Sequence, residues 1–255
     1  MTRVTSEPLV LTGERTVPGV ERETYWFRRH EAAYAWAATH LPLTGARVVE
    51  AGSGEGFGAA MLRAAGADVV LALEYDAPAV AHAARTYPAV SCVRANLADL
   101  PVADGGADVV ATLQVVEHLW DLRGFLRDCA RVLRPGGTLL VTTPNRLTFS
   151  PGLGRGEKPT NPFHVEEFDP AQLAALVAGA GFDDVVVRGL RHGPRLVAEE
   201  LTHGSIVAAQ VDAVLADAWD DGLTARVAQV ALEDFVVDGN DVARSLDLLV
   251  TAVRP

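Results

Sequence analysis

Between residues 46 and 143, short apolar runs alternate with stretches whose apolar residues recur every three or four positions. ARVVEA (46–51), DVVLALE (68–74), VSCVRA (90–95), ADVVATLQ (107–114) and TLLVTT (138–143) read as strands apolar along their length. That is the pattern of strands covered on both faces. Helices are predicted between them over 57–65, from Pro78 to about Thr86, and over 122–133. In the last, Leu122, Phe125, Leu126, Cys129, Val132 and Leu133 fall at helical spacing, and Pro135-Gly136-Gly137 stops it. Residues 23–40 contain no breaker and read as a further helix near the N-terminus. A helix over 170–180, a strand over 184–190, a polar and helical stretch over 194–240 and a strand LDLLVTAV (246–253) complete the pattern.

Such alternation builds an α/β fold, a doubly wound parallel sheet with helices on both faces. The expected organisation is an N-terminal arm and helix over 1–45, a core over 46–190 plus 241–255, and an inserted helical substrate cap over 191–240. The Pro-, Gly- and Asn-rich segment 144–167 is a long loop of the kind that usually carries function.

Composition narrows the picture. A chain of 255 residues with 49% hydrophobic and 22% charged residues can bury a full core. Net charge −11 argues against nucleic acid or an anionic membrane surface as partner, because both select a basic face. No apolar run approaches the roughly 18 residues of a membrane span, so a cytoplasmic protein without membrane insertion is expected. Cys92 and Cys129 lack metal-ligand spacing and read as buried reduced thiols. Lys158 is the one lysine, and this bias toward arginine, alanine and glycine points to a bacterial genome rich in G and C. A homodimer is compatible with all of this.

The chemistry starts at VVEAGSGEGFG (48–58), a strand, a glycine turn and a helix start. Gly52, Gly54 and Gly56 alternate as G-x-G-x-G, leaving the backbone open to a ligand. A dinucleotide pyrophosphate instead selects G-x-G-x-x-G. Glu50 would repel a pyrophosphate but suits an ammonium or a sulfonium. Glu74 closes the second strand where a carboxylate can accept both ribose hydroxyls, and Tyr75 can cover an adenine face. Asn96 follows the third strand, where its amide can pair with an adenine edge or simply make a turn.

With these residues in place, the segment 46–143 resembles the core of class I S-adenosylmethionine-dependent methyltransferases. EAGSGEG matches the family's first motif, LALEYD its ribose acid, ANLADLP its adenine segment, ADVVATLQVVEHL its fourth-strand motif and LRPGGTLLVTTPN its fifth. The resemblance implies a Rossmann-like seven-stranded sheet of order 3-2-1-4-5-7-6 with the last strand antiparallel. It implies S-adenosylmethionine as cofactor and S-adenosylhomocysteine as product. Glu50, Gly52, Ser53, Gly54 and Gly56 would line the methionine part, Glu74 the ribose, Asn96 and Leu97 the adenine, with Gln114 beside the sulfonium. QVVEHLWD and TPN resemble the O-methyltransferases of ubiquinone biosynthesis. TGER (12–15) with His30 and Tyr34 resembles a bacterial subgroup associated with sugar and polysaccharide metabolism, and TPNRLTFSPG and NPFHVEEF resemble an actinobacterial branch linked to methylated-glucose polysaccharides. A small-molecule or oligosaccharide acceptor is therefore expected.

A hydroxyl acceptor needs a base. His118, beside Glu117 after the fourth strand, is the first candidate, and His164 in the long loop is the second. Some ubiquinone-type relatives bind a divalent metal through E-x-x-E-H; here Gln114 replaces the first acid, so metal is not favoured. Rival readings are an NAD-dependent oxidoreductase, which lacks its third glycine spacing here, and a non-catalytic S-adenosylmethionine-binding protein.

Overall fold

The structure, a computed structural model, describes residue 16, residues 18–159 and residues 161–255. The TGER segment lies outside the described residues. A 3-10 turn leads into α1 (Thr24–His40), and β1 (Arg47–Ala51), α2 (Phe57–Ala64), β2 (Val69–Glu74), α3 (Ala77–Thr86) and β3 (Ser91–Arg94) follow. Next come β4 (Ala107–Leu113), α4 (Leu122–Val132), β5 (Leu133–Pro144) and the single turn α5 (Arg146–Phe149). The chain ends through α6 (Pro170–Gly179), β6 (Asp183–His192), α7 (Pro194–His203), α8 (Ile206–Leu215), α9 (Asp221–Ala228), β7 (Phe235–Asp238) and β8 (Asp247–Val253).

The eight strands of the described residues form one sheet of order β3-β2-β1-β4-β5-β8-β6-β7. The β1–β2, β1–β4, β2–β3 and β4–β5 pairs are parallel, whereas β8 runs antiparallel to both β5 and β6. The expected seven-stranded order therefore holds as far as β6, and an eighth strand corrects it. β7 lies inside the stretch read as wholly helical and adds antiparallel to the open edge of β6, Gly189↔Asp238 to His192↔Phe235. Four residues are too few to display a strand period, and β6 runs two residues past its expected end, so its edge bonds are available to FVVD. A second correction falls at Pro135-Gly136-Gly137. These residues do not separate helix from strand; they form an irregularity inside β5, where pairing moves from Ala107↔Leu133 to Val109↔Thr138.

Alternate strand residues feed two apolar layers. Val48, Val70, Leu140 and Leu249 face α1 and α2, while Val49, Val110, Val141 and Val250 face α4 and α6. The α7–α9 helices extend the first layer, where Leu196, Ile206 and Val227 join Tyr25 and Ala33 of α1. Tyr25 is fully buried and its hydroxyl bonds His192 Nε2 at 2.7 Å; His192 Nδ1 donates to Glu200 at 2.9 Å, tying α1, β6 and α7 together. Phe27 packs on Phe57 at 4.9 Å, so the aromatic start of α1 anchors it to the core. Among the described residues no helix is long and apolar enough to cross a membrane.

Candidate active site

The carboxyl ends of β1, β2, β4 and β5 meet α1 around a cavity of about 450 Å³. That size suits a small ligand, and the carboxyl edge of an open sheet is where such folds bind one. The first wall is the glycine turn. Gly52, Gly54 and Gly56 adopt φ of +84°, +54° and +93°, and the Gly52 and Ser53 amides both donate to Leu73 O of β2. The three glycines do different work. A Cβ on Gly52 would stand 2.4 Å from Val115 Cγ2, and one on Gly56 2.8 Å from Ala83 Cβ, so both are needed for packing. A Cβ on Gly54 would meet no protein atom within 4 Å and would instead project into open space at the cavity wall. Glu74 is fixed beside it, accepting from Gly54 N at 2.9 Å and Asp76 N at 2.8 Å.

Of the residues singled out from sequence, His30, Gly52, Ser53, Gly54, Glu74, Tyr75, Leu97, Gln114 and His118 border this cavity together. Tyr75 is 66% exposed with the Arg94 guanidinium 5.6 Å from its ring centre. His30 bonds Thr16 at 3.3 Å, and burial with the nearby Arg29 charge pushes its pKa down to about 3, leaving it neutral. Gly56, Asn96, Glu50, Glu117 and His164 do not border the cavity. Asn96 is exposed, and its Oδ1 accepts from Ala98 N at 3.0 Å, closing a local turn.

Glu50 stands one layer behind the glycine turn, fully buried. Tyr34, which does border the cavity, donates its hydroxyl to Glu50 Oε1, while Oε2 has no hydrogen bond of ordinary geometry. Burial pushes the Glu50 carboxyl up to about 8; the Tyr34 bond opposes the shift and the Glu74 charge adds to it. Room for the Tyr34 ring comes from Gly58, whose absent Cβ would fall 2.1 Å from Tyr34 Cζ.

His118 ends a 3-10 turn, Val116–His118, that follows β4. Its Nδ1 lies 3.0 Å from Phe163 O, and because a carbonyl only accepts, Nδ1 carries the proton and Nε2 the lone pair. Nε2 is 3.9 Å from Oε1 of Glu117, a buried carboxylate whose other oxygen accepts from Thr143 at 2.9 Å. Burial raises the Glu117 pKa, against the pull of His118 and His164. The long loop is pinned to this turn, Val165 N donating to Glu117 O at 2.7 Å. His164 sits behind His118, ring centres 5.1 Å apart. Its Nδ1 donates to Glu167 at 2.8 Å and its Nε2 accepts from Asn161 at 3.0 Å, so neither nitrogen is open to a substrate.

Glu117, His118 and His164 bring ligand atoms within 4.8 Å of one another, a donor set chemically suited to a divalent cation. Their present partners do not fit one. Both His164 nitrogens and one Glu117 oxygen are engaged, and Gln114 aims away, its amide on Thr142 Oγ1 at 3.3 Å.

Sequence reasoning missed Phe163 and the pairing of Arg29 with Asp247, which also borders the cavity, and it marked Tyr34 only through the subgroup resemblance. Asp247 was visible as a lone acid opening an apolar strand. Nothing in the sequence distinguished Arg29 from Arg28.

A doubly wound sheet with an open glycine turn, a carboxylate after β2 and an apolar ledge at Leu97 defines a nucleoside-binding enzyme fold. Residues 49–141 match the family described as "Methyltransferase domain". A protein of Mycobacterium tuberculosis described as "Probable S-adenosylmethionine-dependent methyltransferase" is 49% identical over 253 residues, 97% of this chain and 90% of that protein. The "Ubiquinone biosynthesis O-methyltransferase" of Xanthomonas euvesicatoria is 31% identical over 173 residues, 62% of this chain and 72% of that enzyme. Among solved structures, a Thermotoga maritima "SAM-dependent methyltransferase, possible histamine N-methyltransferase" superposes with TM-score 0.62 at 19% identity, covering 90% of this chain and 93% of that one. That last likeness concerns the fold alone. The chain belongs to the S-adenosylmethionine-dependent methyltransferases of class I, and S-adenosylmethionine is its cofactor. The rival oxidoreductase reading falls with that assignment. The residues present fit the cofactor: a turn whose Gly54 carries no side chain into the open space of the cavity wall, a buried carboxyl at Glu50 behind it, and the Glu74 carboxylate held on the Gly54 and Asp76 amides.

Proposed function

We propose that this protein methylates a hydroxyl group of a small polyhydroxylated molecule or oligosaccharide, with His118 as general base. The observation that carries the reading is the His118 tautomer: Nδ1–H is directed to Phe163 O, which puts the lone pair on Nε2 of a ring that borders the cavity, with the buried Glu117 carboxyl beside it. S-adenosylmethionine, when bound, supplies a methyl group already activated by its sulfonium.

Gly52, Ser53 and Gly54 would hold the methionine part, Glu74 the ribose, and Tyr75 with Leu97 the adenine. Glu50 acts from behind as a buried carboxyl, protonated in the free protein at neutral pH, that a cationic ligand would draw into its ionised form. Alignment does most of the work in such a displacement, and in favourable cases is worth on the order of 7–11 kcal/mol. His118 Nε2 takes the acceptor's hydroxyl proton. The resulting imidazolium keeps its Nδ1–H on the Phe163 carbonyl and lies 3.9 Å from Glu117 Oε1, whose charge would stabilise it. An oxygen acceptor is also supported by the likeness to an enzyme named as an O-methyltransferase. A polyhydroxylated one is supported by the polar wall of Thr142, Arg29 and Asp247.

The test is release of S-adenosylhomocysteine with methyl α-D-glucopyranoside, maltotriose, catechol and ethanolamine as acceptors, in the native protein and in His118→Ala. The reading expects transfer to the sugars, lowered about 10²–10⁴-fold in the variant with cofactor affinity unchanged. Preference for ethanolamine, or full turnover by His118→Ala, would overturn it.

A further inference from the structure

The cavity has a second wall that the cofactor cradle does not use. Because β8 runs antiparallel to β5, its first residue reaches the edge where the parallel strands finish, Asp247 pairing with Pro144. Gln114 after β4, Thr142 in β5 and Asp247 in β8 therefore lie side by side across three adjacent strands, with Arg29 of α1 above them. Arg29 Nε donates to Asp247 Oδ2 at 2.8 Å and its Nη2 to Oδ1. The Gln114 amide meets the same carboxylate, and bonds Thr142 Oγ1 at 3.3 Å.

From this arrangement we infer that Gln114, Thr142, Asp247 and Arg29 form a hydroxyl-recognition subsite for the methyl acceptor. Three observations support it. Arg29 and Asp247 are only 4% and 2% exposed, yet both border the cavity. A buried ion pair is seldom worth more to stability than an apolar pair of similar volume, so stability alone does not account for its place at a cavity wall. Gln114 adopts φ +57°, a left-handed conformation that is strained for a side chain of this kind, and that conformation accompanies the placement of its amide on Thr142 and Asp247. The guanidinium is held 4.8 Å from the Phe149 ring centre and 5.4 Å from that of Trp26, so its direction is fixed.

The chemistry selects the ligand class. A carboxylate offers about four acceptor positions, of which two go to Arg29 and one to Gln114. One acceptor position thus remains, beside the further N–H groups of Arg29. The strip is net neutral, so an ammonium or phosphate gains little from it. A hydroxyl, which donates and accepts at once, is matched by it, and two neighbouring hydroxyls are matched better than one.

The inference rests on the reading that the acceptor carries hydroxyls, and its test uses binding as well as turnover. Methyl α-D-glucopyranoside is titrated into the complex with S-adenosylhomocysteine and followed by saturation-transfer NMR, in the native protein, Asp247→Asn and Gln114→Met. Calorimetry gives the affinity for S-adenosylhomocysteine in each. The expected result is sugar binding weakened at least tenfold in both variants, with cofactor-product affinity held within threefold. Gln114→Met leaves the ion pair intact and keeps the test valid if Asp247→Asn fails to fold. Sugar binding that is absent in the native protein or equal in Gln114→Met overturns the inference, as does a tenfold loss of S-adenosylhomocysteine affinity, which would give the strip to the cofactor. Variant-sensitive sugar binding together with transfer only to ethanolamine would leave the subsite standing and remove the hydroxyl-transfer reading.

Discussion

Glu50→Gln separates the cost of burying a carboxylate from its use. Glu50 is fully buried, holds the Tyr34 hydroxyl on one oxygen and has no hydrogen bond of ordinary geometry on the other. Burial lifts its pKa from an ordinary 4.5 to about 8. Between those values the unfolded chain is ionised while the folded protein keeps a proton, so folding takes one up. Stability therefore falls as pH rises through that window and levels off above it. At pH 7 the loss amounts to about 3 kcal/mol, from roughly 1.4 kcal/mol per pH unit above 4.5. Glutamine keeps the shape and the oxygen that Tyr34 needs but does not titrate. The variant should thus exceed the native protein in stability at pH 7 by up to about 3 kcal/mol, or several degrees in Tm, at about 2–4 °C per kcal/mol for chains of this size. Near pH 4.5 the advantage should vanish. Affinity for S-adenosylmethionine should move the other way, because its positive charge loses a partner, and binding to the native protein at pH 7 should release a proton. Thermal melts of both proteins from pH 4.5 to 8 and calorimetry in buffers of different ionisation enthalpy read all three effects. A Tm difference that does not change with pH would refute the reasoning.

Two further predictions concern packing around the same cavity. Gly52→Ala drives a methyl into Val115 at an unfavourable φ and should lower stability by about 1–3 kcal/mol, whereas Gly54→Ala meets no protein atom, bears only the cost of its left-handed φ, about 1 kcal/mol, and should be destabilised less than Gly52→Ala while losing at least tenfold in S-adenosylhomocysteine affinity. Melting and calorimetry on the two variants check this contrast, and the reverse pattern would contradict the roles given to the glycines. Arg29→Leu strands the Asp247 carboxylate in a buried position and should cost about 3–5 kcal/mol in urea unfolding, most of it regained in the Arg29→Leu/Asp247→Leu double variant. A double variant as unstable as the single one would show that α1 needs the ion pair itself.

The fold was legible where local pattern and global need coincide. Uniformly apolar runs gave the central strands because β1, β4 and β5 are buried on both faces, and that burial is written into every residue of such a strand. β7 was not legible, since Phe235–Asp238 is a short edge strand whose pairing depends on how far β6 extends. The expected substrate cap shows a related limit. Residues 191–240 were read as covering the site from their place in the chain, but none of them borders the cavity; they pack outside α1, which is itself the covering element.

The sequence by itself determined the parallel sheet, the open turn of Gly52 and Gly54 and the carboxylate at Glu74, because these depend on residue type at short spacing. Tertiary structure decided the rest. It placed Asp247 under Arg29 across 218 residues of chain, set Glu50 behind Tyr34 rather than on the cavity wall, and gave His118 its tautomer through a carbonyl 45 residues away. Long-range contacts of that kind leave no period or spacing in the sequence, since they arise only when an antiparallel strand, a helix and a loop converge on one sheet edge.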